Sequence, residues 1–226
     1  MKAQRIFIGT SRSPVVILDG VAGDVPATVD LAAALAPFPR PPRIPYPGVR
    51  RIITPADVAA QAYVDRLLDA AAPYIGGGFG VDAFDLIEAS FSLITTPPGA
   101  LAPVQRAPHF DSADPNYLAI LHYLSATPNS GTAFYRHRRS GIERVTRATM
   151  DSYVAAAKQE SLSFDPGYVL GSNAFYERIG AVDAVPDRLI IYQGSLLHSG
   201  IVPDGMAFSP DPRAGRLTAN LFVRAH

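Results

Sequence analysis

The chain has 226 residues, 48% of them hydrophobic and 18% charged. That is enough apolar material for one core, and it excludes a disordered, collagen-like or coiled-coil chain. Twenty basic residues offset twenty acidic ones, removing the bulk attraction that nucleic acid or an anionic membrane would exert. With no cysteine at all there is no disulfide framework, thiolate metal site or thiol nucleophile, so any metal must sit on His, Asp or Glu.

Residues 4–20 read as two short strands, RIFIG and PVVILDG, on a sheet edge. The opening segment is basic, but Gly9, Ser11 and Arg12 interrupt its apolar run before it reaches signal-peptide length. Six prolines between Pro37 and Pro47 exclude a helix and predict a stiff, extended connection. Thr54, Pro55 at the first helical position and Asp57 in the first turn start a supporting helix that runs to about Ala72. Its buried face carries Val64, Leu67, Leu68 and Ala71, and Asp65, Arg66 and Asp69 face outward.

Beyond Gly77 and Gly78 the pattern turns to β. FSLIT, ALAPVQ, YLAILHYLS, GTAFYRHR, FYERIGAV, RLIIYQG and RLTANLFVR are short aromatic and β-branched runs separated by turn signals. One helix interrupts them at about 144–159. The fold class expected is mainly β with flanking helices, a sandwich or jelly roll. The chain reads as a single domain over 1–226, with 1–84 supporting a core formed by 85–226. No segment approaches the roughly 18 apolar residues of a membrane span, and a cytoplasmic protein without membrane or nucleic-acid partners is expected.

His109 and Asp111, two apart in PHFDS, point to the same side of an extended strand and could share a metal, or simply form a hydrogen-bonded pair at a strand end. His198, just beyond a strongly apolar strand, supplies a third ligand or is a satisfied structural histidine. Two imidazoles and one carboxylate hold one face of an octahedral ion and leave three positions open, as non-haem Fe(II) oxygenases require. In the last strand Arg216 and Thr218 share a polar side opposite Leu217, Ala219, Leu221 and Val223. If the apolar side packs on helices, Arg216 points inward, where a guanidinium needs an anion; the alternative is an edge strand with its polar side in water. Tyr123 can face the same cavity. His122 then points the opposite way, as a packed or half-exposed histidine, and His226 is terminal and frayed.

The order PHFD, HYL, SGTAF, LLHSG and RLT resembles the iron(II)- and 2-oxoglutarate-dependent dioxygenases over about residues 85–224, most closely the prolyl-4-hydroxylase-like branch and its bacterial relatives. The resemblance implies a double-stranded β-helix and assigns His109, Asp111 and His198 to Fe(II). It assigns Arg216 and Thr218, with Tyr123, to the far carboxylate of 2-oxoglutarate. It further implies consumption of O2 and release of succinate and CO2 on hydroxylating a small-molecule or peptide substrate. Asp111 stands where halogenating relatives have a small residue. Two other readings stay open: a cupin-like metalloprotein with non-oxidative activity, and a non-catalytic jelly-roll binding module.

One departure from the family is the long stretch between His198 and Arg216, whose loop VPDGMAFSPDPRAG is expected to form a lid or substrate rim. Were Arg216 not the anchor, Arg213 or Arg224 would have to serve, although neither has a hydroxyl two residues on. The basic run Tyr135, Arg136, His137, Arg138 and Arg139 is either an anionic-substrate surface or a solvated strand balanced by Glu143 and Asp151. A nucleic-acid demethylase would need a second arginine six residues after the anchor, and the next here is Arg224. Oligomeric state is not legible.

Overall fold

A computed structural model describes residues 1–41, 46–125 and 127–226. The elements are β1 (Lys2–Ile8), β2 (Ser13–Asp19), α1 (Val25–Ala34), β3 (Gly48–Ile52), α2 (Val58–Phe79), β4 (Phe84–Ile94), β5 (Tyr117–Tyr123), β6 (Gly131–His137), α3 (Met150–Ser161), β7 (Tyr176–Asp183), β8 (Arg188–Gln193), β9 (His198–Ile201) and β10 (Leu217–Ala225). They build two antiparallel sheets, one of seven strands in the order β1-β2-β8-β5-β10-β4-β3 and one of three in the order β7-β6-β9. The expected mainly β jelly roll with flanking helices is therefore present, with β1 on an edge.

Alternation along each strand sorts the layers. Leu118 and Ile120 of β5, Leu189 and Ile191 of β8 and Leu217, Ala219, Leu221 and Val223 of β10 face outward, where they bury Tyr63, Val64, Leu67, Ala71 and Ile75 of α2. Each fully buried Leu, Ile or Val among them contributes about 2 kcal/mol. The alternate residues Ala119, Tyr123, Ile190 and Tyr192 face the small sheet and meet Phe134, Val182 and Leu196. On the far side of the small sheet Tyr135 and Tyr176 pack on Tyr153 of α3.

His122 is fully buried on the helix side of the large sheet, not half-exposed. Its Nδ1 pairs with the Tyr63 hydroxyl at 2.6 Å and its Nε2 with Asp187 at 3.0 Å. Asp187 in turn accepts the Ala22 and Gly23 amides. The relay clamps α2 and the β2–α1 loop to the sheet, so this histidine is structural.

Several boundaries differ from the sequence reading. ALAPVQ forms no strand: residues 98–100 and 103–106 are 3-10 turns, each with a proline, which has no N–H to give to a ladder, at its start. Asp57 precedes α2 as its cap residue, and its carboxylate binds the Thr54 amide and hydroxyl instead of the helix. The helix continues past Ala72, through Pro73 and three glycines, because Ile75 is buried in the core; packing outweighs propensity there. Helix α3 starts at Met150, not near 144, and β4 begins at Phe84 well before FSLIT. Helix α1 and strand β3 were not expected, and residues 42–45 of the proline-rich connection lie outside the described residues.

Candidate metal centre

His109 and Asp111 do not stand on a long strand. The segment 109–111 lies beside 194–198 through main-chain bonds: His109 and His198 exchange N–H···O contacts of 2.8 Å in both directions, and the Asp111 amide donates to Gly194 O at 2.7 Å. Tyr153 of α3 donates to Pro108 O at 3.0 Å, which ties this segment to the outer helix. From the other side the 195–197 turn is fixed by bonds from Val145 to Ser195 O and from Leu197 to Glu143 O, both 2.8 Å.

This frame brings one ligand atom each from His109, Asp111 and His198 to within 4.8 Å of one another. The two imidazole centroids are 4.3 Å apart. His198 Nδ1 is 2.8 Å from Leu196 O, so Nδ1 carries the proton and Nε2 presents its lone pair toward Asp111 Oδ2 at 3.6 Å. Oδ2 is buried and has no hydrogen-bond partner among the described residues. Gly194 admits the close packing, since a Cβ there would stand 2.7 Å from Tyr117 Cδ1 and 3.3 Å from Asp111 Cβ.

Burial lowers the His198 imidazole to about 4 and raises the Asp111 carboxyl to about 6, with His109 and Arg50 opposing the rise. Burial and then His198 also lower His109, though this residue keeps an open side to solvent that tempers the effect. Two neutral imidazoles and an orphaned carboxylate oxygen are what a divalent cation accepts as ligands. The residues present fit such an ion.

Arg216 is 5% exposed. Its Nη2 reaches across to Gly131 O of the small sheet at 3.2 Å, and its Nε is buried without a partner among the described residues. The guanidinium lies 5.8 Å from the Tyr123 ring centre. Thr218 pairs across the ladder with Tyr123 and Ser92, placing it on the inner face, and Tyr123 OH meets Thr132 Oγ1 at 2.7 Å. Tyr192 joins this group to the histidines: it packs with Tyr123 and its ring stands edge-on to His198 at 4.9 Å. Arg216, Thr218, Tyr123 and the three ligand candidates therefore share one interior.

Arg213 and Arg224 are unsuited to the anchor position, since both are exposed and paired, with Asp30 at 2.9 Å and Asp114 at 3.2 Å. The basic run is neutralised in part, at Arg136 and His137, whereas Arg138 is exposed and donates to Asn173 O at 2.9 Å. Arg136 bonds Glu143 and Glu177, not Asp151, and His137 is buried against Glu160 at 2.8 Å. In the long loop Val202 and Met206 pack with Ile94, Tyr46, Tyr168 and Phe208. An open cleft of about 730 Å³ lined by Glu143, Arg144, Gln193 and Ser195 includes none of the three ligand candidates.

Unforeseen from sequence is Arg50 of β3, whose side chain lies over Phe222 on this inner face, 5.9 Å from the ring centre. Strand β3 shows no alternation and follows the proline-rich stretch, so no local signal directed Arg50 inward. Tyr46 was also missed; desolvation raises its hydroxyl, while the nearby Arg216 and Arg50 oppose that rise.

The fold is similar to that of several iron- and 2-oxoglutarate-dependent enzymes of known structure. A crystal structure of the non-heme alpha ketoglutarate dependent epimerase SnoN from nogalamycin biosynthesis aligns with a TM-score of 0.53 at 15% identity, covering 95% of this chain and 79% of that one. Iron-bound HygX from Streptomyces hygroscopicus aligns at 0.50 and 14%, covering 94% and 82%. The viral collagen prolyl hydroxylase vCPH of Paramecium Bursaria Chlorella virus-1, in its 2OG complex, aligns at 0.50 and 10%, covering 94% and 96%. By sequence the chain belongs to DUF6445, a family of unknown function whose model matches residues 1–223. No curated protein matches it. Among the described residues no helix is long and apolar enough to cross a membrane.

Proposed function

We propose that the chain is an Fe(II)- and 2-oxoglutarate-dependent oxygenase that hydroxylates a small-molecule or peptide substrate and releases succinate and CO2. The observation that carries this reading is the pairing of two orphaned polar atoms in one interior, Asp111 Oδ2 within the His109–Asp111–His198 cluster and Nε of the buried Arg216. The first asks for a cation and the second for an anion. The fold likeness to vCPH, solved as its 2OG complex, and to iron-bound HygX supports the assignment.

His109, Asp111 and His198 would hold the metal, and Arg216 with Thr218 and Tyr123 would hold the distal carboxylate of the co-substrate. Iron and 2-oxoglutarate supply the oxidative chemistry with dioxygen when bound. The protein's own part is positional. The paired main-chain bonds of His109 and His198 fix the spacing of the imidazoles, and the Leu196 carbonyl fixes the His198 tautomer. A guanidinium held largely out of bulk solvent meets a carboxylate at strength, because charge-assisted hydrogen bonds strengthen where the effective dielectric is low. Tyr123, pushed up to about 12 mainly by burial, stays protonated and can donate. A non-oxidative metalloprotein leaves Arg216 without an anion, and a non-catalytic module leaves both orphans unexplained.

Anaerobic addition of Fe(II) and then 2-oxoglutarate tests the proposal. A visible charge-transfer absorption should appear, followed by succinate formation in air. His198→Ala should lose more than the roughly 10- to 100-fold in iron affinity that outer-shell changes produce, and should abolish that absorption. Iron binding without any 2-oxoglutarate binding would overturn the reading.

A further inference from the structure

The interior extends beyond the metal cluster. Cross-strand pairs set Thr218, Asn220 and Phe222 of β10 beside Ser92, Ser90 and Glu88 of β4, and Arg50 of β3 beside Ser92. Directly opposed residues project to the same side of a sheet, so these side chains line the inner face from the anchor to the β3 edge. Arg50 Nη2 donates to Glu88 Oε1 at 2.7 Å and to Ser90 Oγ at 2.8 Å, and Nε donates to Ser92 Oγ at 3.3 Å. A guanidinium has five N–H groups; the two on Nη1 have no partner among the described residues. The Glu88 side chain is 35% exposed against 10% for Arg50, and its Oε2 accepts no hydrogen bond among them either.

The pair sits close to the metal cluster. Arg50 covers Phe222, Phe222 lies 5.4 Å from Tyr117, and Tyr117 abuts Gly194, the residue that also touches Asp111. The positive charge of Arg50 is felt at Asp111 and at Tyr117, and both Asp111 and Glu88 push the Tyr117 hydroxyl up after burial does. A short aromatic floor thus connects a half-open ion pair to the position a metal would take.

The charges of this wall select a ligand class. Arg216 is reserved for a carboxylate, the His–Asp–His cluster for a cation, and Arg50 is already balanced by Glu88. A net anion or a net cation would leave one member of that pair opposed by a like charge. A zwitterion satisfies both, with its carboxylate on Nη1 and its ammonium on Glu88 Oε2.

Building on the oxygenase reading, we propose that Arg50 and Glu88 are the specificity-determining residues and that the substrate is a free amino acid. Its head group sits on this pair, and its side chain lies across Phe222 and Tyr117 toward His109 and Asp111.

The test uses the Fe(II)- and 2-oxoglutarate-loaded protein without oxygen. Titration calorimetry and the charge-transfer absorption report binding of each of the twenty proteinogenic L-amino acids, their amides and their N-acetyl derivatives. At least one free amino acid should bind, and blocking either its carboxylate or its amine should weaken it by about tenfold or more, the value of one charge-assisted hydrogen bond. Arg50→Gln and Glu88→Gln should each weaken it similarly and leave 2-oxoglutarate affinity within about threefold. Comparing blocked and free ligands on the wild-type protein keeps the test decisive even where a variant folds poorly. A protein that binds iron and 2-oxoglutarate but none of the amino acids, or that binds free and blocked forms alike, overturns this inference alone. Failure to bind iron or 2-oxoglutarate would defeat the oxygenase reading beneath it.

Discussion

Toward β2 and β8 the inner face of the large sheet is filled: Val15, Ile17, Ala119 and Ile190 interlock with Phe134, Val182 and Leu196. Across β10, β4 and β3 the same face carries Thr218 and a network of Asn220, Ser90, Ser92, Glu88 and Arg50 that includes Asn220 Nδ2 to Ser92 Oγ at 2.7 Å. One sheet therefore does two jobs. Its apolar half is sealed by the small sheet and gives rigidity through packing density. Its polar half leaves groups open among the described residues: Arg216 Nε is buried without a partner, and Arg50 makes its bonds through Nε and Nη2 alone.

The division makes substitutions on the two sides fail differently. Phe134→Ala, in the sealed half, should lose about 3–5 kcal/mol of stability, seen as an earlier urea midpoint, with iron affinity per folded molecule unchanged. Arg216→Met should do the reverse. Replacing a buried, half-satisfied guanidinium by an apolar side chain of similar length is neutral or stabilising, so the urea midpoint should hold or rise as 2-oxoglutarate affinity falls about 100-fold. A fall in stability equal to that of Phe134→Ala would erase the distinction.

Glu143 lies outside both halves and ties the β1–β2 turn to the 195–197 segment behind the candidate ligands. Burial alone would raise its carboxyl, but hydrogen bonds from Ser11, Arg136 and Thr10 outweigh that and hold it at about 2. A depressed acid contributes stability at neutral pH that fades as pH falls through the ordinary glutamate range toward about 2. Glu143→Gln should cost roughly 2 kcal/mol at pH 7 and flatten the acid limb of urea-midpoint profiles recorded from pH 7 to 3. The smallest effect expected is that of Gly194→Ala. Its added methyl must displace Tyr117 or Asp111, so iron affinity should drop about tenfold by anaerobic titration, with little change in the urea midpoint.

The two halves were unequally legible. Strict alternation in YLAILHYLS and RLTANLFVR placed β5 and β10 and assigned the sides of Tyr123, His122, Arg216 and Thr218, because a half-buried strand writes its burial into a period of two. His109, Asp111 and His198 were found by residue type and order, but their convergence rests on the bridge between 109–111 and 194–198, a contact 89 positions apart that leaves no local trace. Strand β3 escaped because prolines precede it and two adjacent arginines break its pattern, and Arg50 was lost with it. Helix α1 carries a local signal of its own: Asp24 caps it by accepting the Ala27 amide at 2.9 Å, just ahead of Pro26 in the first turn.

The ladder rung shared by His109 and His198 has a consequence for metal exchange. Two imidazoles whose main chains are already stapled together need no rearrangement to receive an ion, so little ordering entropy is spent at loading. Substituting cobalt, nickel or zinc for iron should leave the surrounding scaffold almost superimposable. Discrimination among these metals would then depend on how many ligands each one prefers, not on flexing of the pocket.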